Sequence, residues 1–562
     1  MKIFPAKALI LLMMVSRPLW AQPADLVLRG GAIYTMDAAR SWAAALAVDE
    51  GKIVYVGTET GVDKWIGEGT EVLELEGRMV LPGFHDSHVH PVSGGVELNQ
   101  CDLNPATSVA EIEQKLTRYA AENPELEWVV GGEWQMPLFP DGQPTAAQLD
   151  RLIPDRPAFI SSSDAHTVWV NSKALEAAGI GADTPDPEGG KIDRDVKGKP
   201  TGLLREEAIG LISKLLPEVS EQEYREGLLT GLAEANRYGI TSLIEANATD
   251  PMVKAYRQLE SEGLLTARVV AALYTNPKAG AAQVPGLVQR RKAAEGKLFR
   301  ATSVKLFADG VIEAHTAALL EPYLDAAHRG ISIWRKEDFE ETVSALQKEN
   351  FQIHVHAIGD RAIRETLDAL DKAKTDNGFR DLRHQIAHLQ LLSPGDIQRF
   401  RALGIVANFQ PLWAYHDSFI EKLTIPVLGE ERSNWLYPIK SFHDHGVAVV
   451  AGSDWSVTSI NPLPAIQVGV TRTDPDEPNA RPLLPEQAMT LPAMLALYTI
   501  NGAYGMHQEE QTGSLEVGKA ADLVILERNL FEVPVKDIGK VKVLRTILAG
   551  RTVYRSEGQE VR

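Results

Sequence analysis

His88 and His90 stand two residues apart in FHDSHVHP. On an extended chain such residues face the same side, and two imidazoles on one face make half of a metal site. Three more runs carry metal-competent groups: His356 in HVHAIGD, His388 in HQIAHLQ and Asp454 in VVAGSD. A sixth group, Lys305, lies inside the otherwise apolar run SVKLFADG. Each has an ordinary explanation when taken singly. A buried histidine is usually a satisfied core group, Asp454 could cap a following helix, and Lys305 could meet an ion-pair partner. Six such groups on five strand-like runs are not explained that way, and together they predict a metal centre. His354 and His384 share runs with His356 and His388. The latter two sit closer to the run ends and are the preferred ligands; the former are assigned to packing or support. A buried neutral lysine can also add carbon dioxide and become a carbamate, whose two oxygens can bridge two metals. A cationic Lys305 would repel them. The count of divalent ions, one or two per chain, therefore turns on Lys305.

Bringing these groups to one rim requires parallel strands. Strand-like runs occur at 79–86, 240–246, 268–274, 302–309, 351–357, 384–390, 405–410 and 447–454. Amphipathic helix-like runs lie between most of them, for example 336–350 and 360–374. This alternation predicts an α/β fold, a (β/α)8 TIM-like barrel with its site at the C-terminal rim. The interval after the first run is too long for one helix, so an insertion is expected at about 100–235. Within it, the Gly/Pro-rich stretch 184–202 reads as a long loop or small hairpin near the barrel mouth. Short strands with glycine turns near both termini predict a composite β-sandwich built from 22–80 and 508–562, leaving 81–507 to the barrel.

Composition narrows the class. The chain has 562 residues, 44% hydrophobic and 24% charged, which excludes a disordered or low-complexity protein. A net charge of −19 argues against nonspecific binding to nucleic acid or anionic membranes. The single cysteine, Cys101, can form no intrachain disulfide and no cysteine-based zinc finger. Residues 1–21 carry Lys2 and Lys7, then an apolar run from Ala8 to Val15, then Ala21 as a cleavage position. This predicts a cleaved secretory signal and a secreted or periplasmic protein. The apolar run is too short to span a bilayer, and no later stretch is long and apolar enough.

LPGFHDSHVHP (81–91), VKLFADG (304–310), HVHAIGDRA (354–362), IAHLQ (386–390), AGSDWSV (451–457) and GSLEVGKAADLVIL (513–526) resemble the amidohydrolase superfamily. DAHTVWVNSKAL (164–175) and PTGLLREEA (200–208) are similar to its YtcJ-like branch, amidohydrolase family 3, which includes N-substituted formamide deformylases. The resemblance implies a metal-dependent hydrolase barrel with a two-segment β-sandwich. It implies that His88, His90 and Asp454 hold one metal, most often zinc. Lys305, if N6-carboxylated, would bridge to a second metal held by His356 and His388. Members also work with one metal. It further implies hydrolysis of a non-peptide C–N bond, amide or formamide, with Asp454 as general acid and base. Superfamily members often form homodimers.

The partner is then a small-molecule substrate. His166 could bind its carbonyl or leaving group, or merely cap the helix 171–179. Trp134, Phe139, Trp413, Tyr415 and Trp455 could form an apolar wall. Arg432 could bind a carboxylate, although a surface role suits it better. Cys101 has no spacing that makes it a nucleophile. Two other readings remain: deamination or lactam, carbamate or ester hydrolysis on the same site, and a non-catalytic binding or regulatory protein. The complete set of candidate ligands weighs against the second.

Overall fold

The computed structural model describes residues 23–557 apart from 105 and 478; the segment read as a secretory signal lies outside them. Eight parallel strands form a nearly closed barrel in chain order. They are β1 (Phe84–Val89), β2 (Ile240–Ala248), β3 (Arg268–Tyr274), β4 (Phe299–Phe307), β5 (Gln352–Ala357), β6 (Gln385–His388), β7 (Val406–Phe409) and β8 (Val449–Ala451). Their interiors are rich in Val, Ile, Leu and Ala, as strands covered on both faces must be. The helices outside them are amphipathic at the 3.6-residue period. Lys336–Lys348 buries Phe339, Val343 and Leu346, and Asp360–Asn377 buries Ile363, Leu367 and Leu370. The seam between β8 and β1 closes just past the strand ends. There Asp454 N–H donates to the His88 carbonyl (2.7 Å) and His90 N–H to the Trp455 carbonyl (2.9 Å).

The run 79–86 is divided at Gly83. Met79–Pro82 pairs antiparallel with Leu523–Leu526 in a terminal sheet, while β1 begins at Phe84. Glycine is required at the division, because a Cβ there would lie 2.1 Å from Thr241 Oγ1. The terminal sheet has eight strands drawn from both ends of the chain. Its long strand Leu26–Tyr34 pairs with Trp42–Asp49 on one side and with Glu71–Glu74 and Met79–Pro82 on the other. The insertion between β1 and β2 carries a six-stranded mixed sheet. Within it, Gly190–Arg194 and Pro200–Glu206 form a hairpin. Trp134, Phe139, Trp169 and Leu203 pack there against Ile312, Leu319 and Leu436 from barrel loops. This apolar contact seats the insertion over the C-terminal rim. No helix among the described residues is long and apolar enough to cross a membrane.

Candidate metal centre

All six predicted groups converge at that rim. Lys305 Nζ lies 3.3 Å from His88 Nε2, and His90 Nε2 lies 3.1 Å from Asp454 Oδ1. His88 Nε2 and His388 Nδ1 stand 3.5 and 3.8 Å from the same carboxylate. The His356 and His388 rings are 4.5 Å apart. The tightest set is His88, His388 and Asp454, which offer one ligand atom each within 4.8 Å of one another. His88 lies in β1 and His90 just past its end, and their rings stand 5.5 Å apart. His388 ends β6 with φ +78°, and Asp454 follows β8 with φ +54°. Both non-glycine residues occupy the left-handed region, which costs of order 1–3 kcal/mol each and is characteristic of functional sites. Here it turns each side chain inward.

The electrostatics suit a cation. Burial holds His88 and His356 well below the usual imidazole range and His388 at about 3. They therefore present neutral, metal-competent nitrogens. Burial alone would raise Asp454, but the His90 hydrogen bond and the nearby His388 and Lys305 hold it at about 2. Burial lowers Lys305 to about 8 despite Asp454 and Glu245. Burial would lower His90 too, but its hydrogen bonds and charge contacts with Asp454 and Glu245 lift it to about 9, so it gives up a proton when it ligates. The donor set fits a divalent metal: three neutral imidazoles, a fourth beside two carboxylates, an ionised carboxylate and a readily deprotonated lysine.

Each histidine is also held through one nitrogen. His88 Nδ1 meets His354 Nε2 at 2.8 Å, which gives His354 its supporting role. His388 Nδ1 meets Gln410 Oε1 at 2.8 Å, and His356 Nε2 meets the Gly310 carbonyl at 3.2 Å. His384 lies lower on the barrel wall, where its Nδ1 accepts the Ile353 N–H.

Two clefts meet at the cluster, one of about 690 Å³ and one of about 1120 Å³, both open to solvent. His166, His356, His388 and Asp454 line both. His166 does not cap the following helix; Asn171 does. Its Nδ1 instead meets Glu206 Oε2 at 2.8 Å. Burial would lower His166, yet the charge and hydrogen bond of Glu206 lift it to about 9. Trp413 stacks on His388, with centroids 5.4 Å apart and planes 5° from parallel. Phe419 and Tyr437 join it in the smaller cleft. Trp134 and Phe139 are instead buried in the apolar contact between the insertion and the barrel loops, and Trp455 packs against Gly94. Tyr415 lines neither cleft. Arg432 donates to the carbonyls of Leu428, Glu321, Pro322 and Val427 and so ties loops together. Cys101 is buried, and burial pushes its thiol up to about 12.

Residues 71–554 match the Amidohydrolase family. The chain belongs to that family. It is 30% identical to "Putative amidohydrolase YtcJ" of Bacillus subtilis (strain 168), over 93% of this chain and 98% of the relative. It is 28% identical to "N-substituted formamide deformylase" of Arthrobacter pascens, over 96% and 99%. Among solved structures, an uncharacterized metal-dependent hydrolase from Pyrococcus furiosus matches with a TM-score of 0.69 and 25% identity, over 90% of this chain and 99% of that one. Family, barrel and buried ligand cluster agree on a metal-dependent hydrolase.

Two residues of this centre carry no earlier assignment. Glu245, from β2, places Oε1 3.6 Å from His90 Nδ1. Glu206 holds His166. Glu245 interrupts the apolar run ITSLIEA just as Lys305 interrupts its own, so its pattern was visible. Glu206 had no comparable mark in sequence.

Proposed function

We propose that this chain is an exported hydrolase that cleaves a non-peptide C–N bond, an amide or formamide, to a carboxylic acid and an amine. The observation that carries the reading is the buried His88–His388–Asp454 cluster opening onto two clefts. A divalent metal in that cluster, most often zinc, would lower the pKa of water to roughly 7 and polarise a carbonyl.

The protein's own groups supply the rest. Asp454 is ionised at neutral pH and accepts a proton from water; it then delivers that proton to the nitrogen of the breaking bond. Such positioned proton transfer is worth about 10² to 10⁴ in rate. His166, lining both clefts, donates to the substrate carbonyl or to the leaving group. Trp413, Phe419 and Tyr437 hold the apolar part of the substrate and exclude water there. The two clefts leave room for a substituent on each side of the scissile bond.

The test is metal analysis of protein purified without chelator, followed by an amide and formamide panel. One or two ions per chain with release of amine plus formate or another acid supports the reading. Ammonia from a heterocycle would replace it with deamination. Bound metal without turnover on any C–N or ester substrate would favour a binding protein.

A further inference from the structure

Glu245 lies in the middle of β2, flanked by Ile244 and Ala246, and its side chain is 0% exposed. Tyr256 Oη donates to Oε2 at 3.1 Å. Oε1 has no hydrogen-bond partner among the described residues. A fully buried carboxylate is costly unless it is paired, so an orphaned oxygen in a barrel strand calls for a function. The group it faces is His90, whose Nδ1 is 3.6 Å away while Nε2 points to Asp454 at 3.1 Å. Lys305 is the other cation nearby, but no ion pair joins it to Glu245 among the described residues, and carboxylation would remove its positive charge.

We propose that Glu245 is the positioning residue of His90: it accepts the Nδ1–H, fixes the tautomer, and leaves the Nε2 lone pair for the metal. This rests on the metal-centre reading above. His88, His388 and His356 meet His354, Gln410 and a backbone carbonyl at hydrogen-bond distance, with Asp309 Oδ1 a further 3.7 Å from His356 Nε2; the Nδ1 of His90 faces the Glu245 carboxylate. A carboxylate on the far nitrogen makes the imidazole a stronger donor and restricts its rotation. The carboxylate is itself fixed. Tyr256 is buried and stacks on Phe299 with centroids 4.9 Å apart and planes 8° from parallel. The orientation of His90 thus runs back through Glu245 and Tyr256 to the aromatic packing beneath β2 and β4.

The experiment is a zinc titration of metal-stripped full-length protein against a competing fluorescent chelator. The variants are Glu245→Gln, Tyr256→Phe, His90→Ala and the His90→Ala/Glu245→Gln double. Glu245→Gln is expected to weaken zinc affinity about 10- to 100-fold. The double variant should bind no more weakly than His90→Ala, because the carboxylate acts through that ring. Cobalt substitution should show a shifted visible spectrum in Glu245→Gln. Unchanged affinity, within about twofold, would overturn the assignment. So would a full further loss in the His90→Ala background, which would mean that Glu245 meets the ion directly. If Glu245→Gln does not fold, Tyr256→Phe reads the same relay, with weakened affinity expected and unchanged affinity overturning it. Wild-type protein that takes up no zinc would remove the proposed function and this inference together; metal-binding wild type with an unaffected Glu245→Gln removes this one alone.

Discussion

His166 Nδ1 lies 2.8 Å from Glu206 Oε2 across 40 residues of sequence. Both belong to the insertion, yet Glu206 Oε1 also accepts from Thr316 Oγ1 at 2.6 Å, and Thr316 belongs to the loop after β4. The His166 ring lies 4.9 Å from that of His356. The insertion is therefore latched to the barrel through the very carboxylate that orients His166 over the metal centre.

Replacing Glu206 with Gln should reduce kcat/KM roughly tenfold or more. The carboxylate raises His166 to about 9, so the protonated donor persists below that pH. Without it, burial lowers the ring and the alkaline limb of the pH–rate profile should move to lower pH. A profile that does not move, with kcat/KM intact, would remove His166 from the reaction.

Asp454→Asn should keep the shape of the site and most bound metal while losing nearly all turnover, about 10² to 10⁴ or more. The amide cannot accept the proton from water. The paired readout is metal content and single-turnover rate. Full activity in the variant would sink the assigned role.

The sites that were legible from sequence share one signature: a polar or charged residue at the end of, or inside, an apolar strand run. His356, His388, Lys305 and Asp454 all carry it, and so does Glu245. What escaped depends on distances that no local pattern encodes. Glu206 and Thr316 meet only because the insertion folds over the rim. Aromatic residues near predicted rim segments divide for the same reason: Trp413 stacks on His388, whereas Trp134 and Phe139 are buried where the insertion packs on barrel loops. The division of 79–86 at Gly83 likewise needs the Thr241 side chain beside it.

The terminal sheet is joined to the barrel by an ion pair. Arg268, at the start of β3, donates through Nε to Asp522 Oδ2 at 2.7 Å, and Asp522 is fully buried. Arg268→Ala leaves that carboxylate without its cation, which should cost about 3–5 kcal/mol. Urea unfolding of metal-stripped protein measures it, since bound metal would add its own stabilisation. An unchanged midpoint would mean that the Thr512 and Ala549 hydrogen bonds to Asp522 suffice.

Carboxylation of Lys305 needs the neutral amine: Nζ forms a bond to the carbon of carbon dioxide and a proton is released. Burial lowers Lys305 to about 8. Roughly one side chain in ten is then neutral at pH 7, against fewer than one in a thousand at the ordinary lysine value. Because the folded value is depressed, the reactive fraction rises with pH and approaches completion above about 8. Uptake of a second metal should therefore increase with added bicarbonate, and the bicarbonate needed should fall between pH 6.5 and 8.5. Lys305→Glu supplies a carboxylate without carbon dioxide, so its uptake should be independent of bicarbonate at every pH. Metal content after dialysis, with and without bicarbonate, reads all of these cases. Equal uptake by wild-type protein in both would leave Lys305 a free amine and the centre mononuclear.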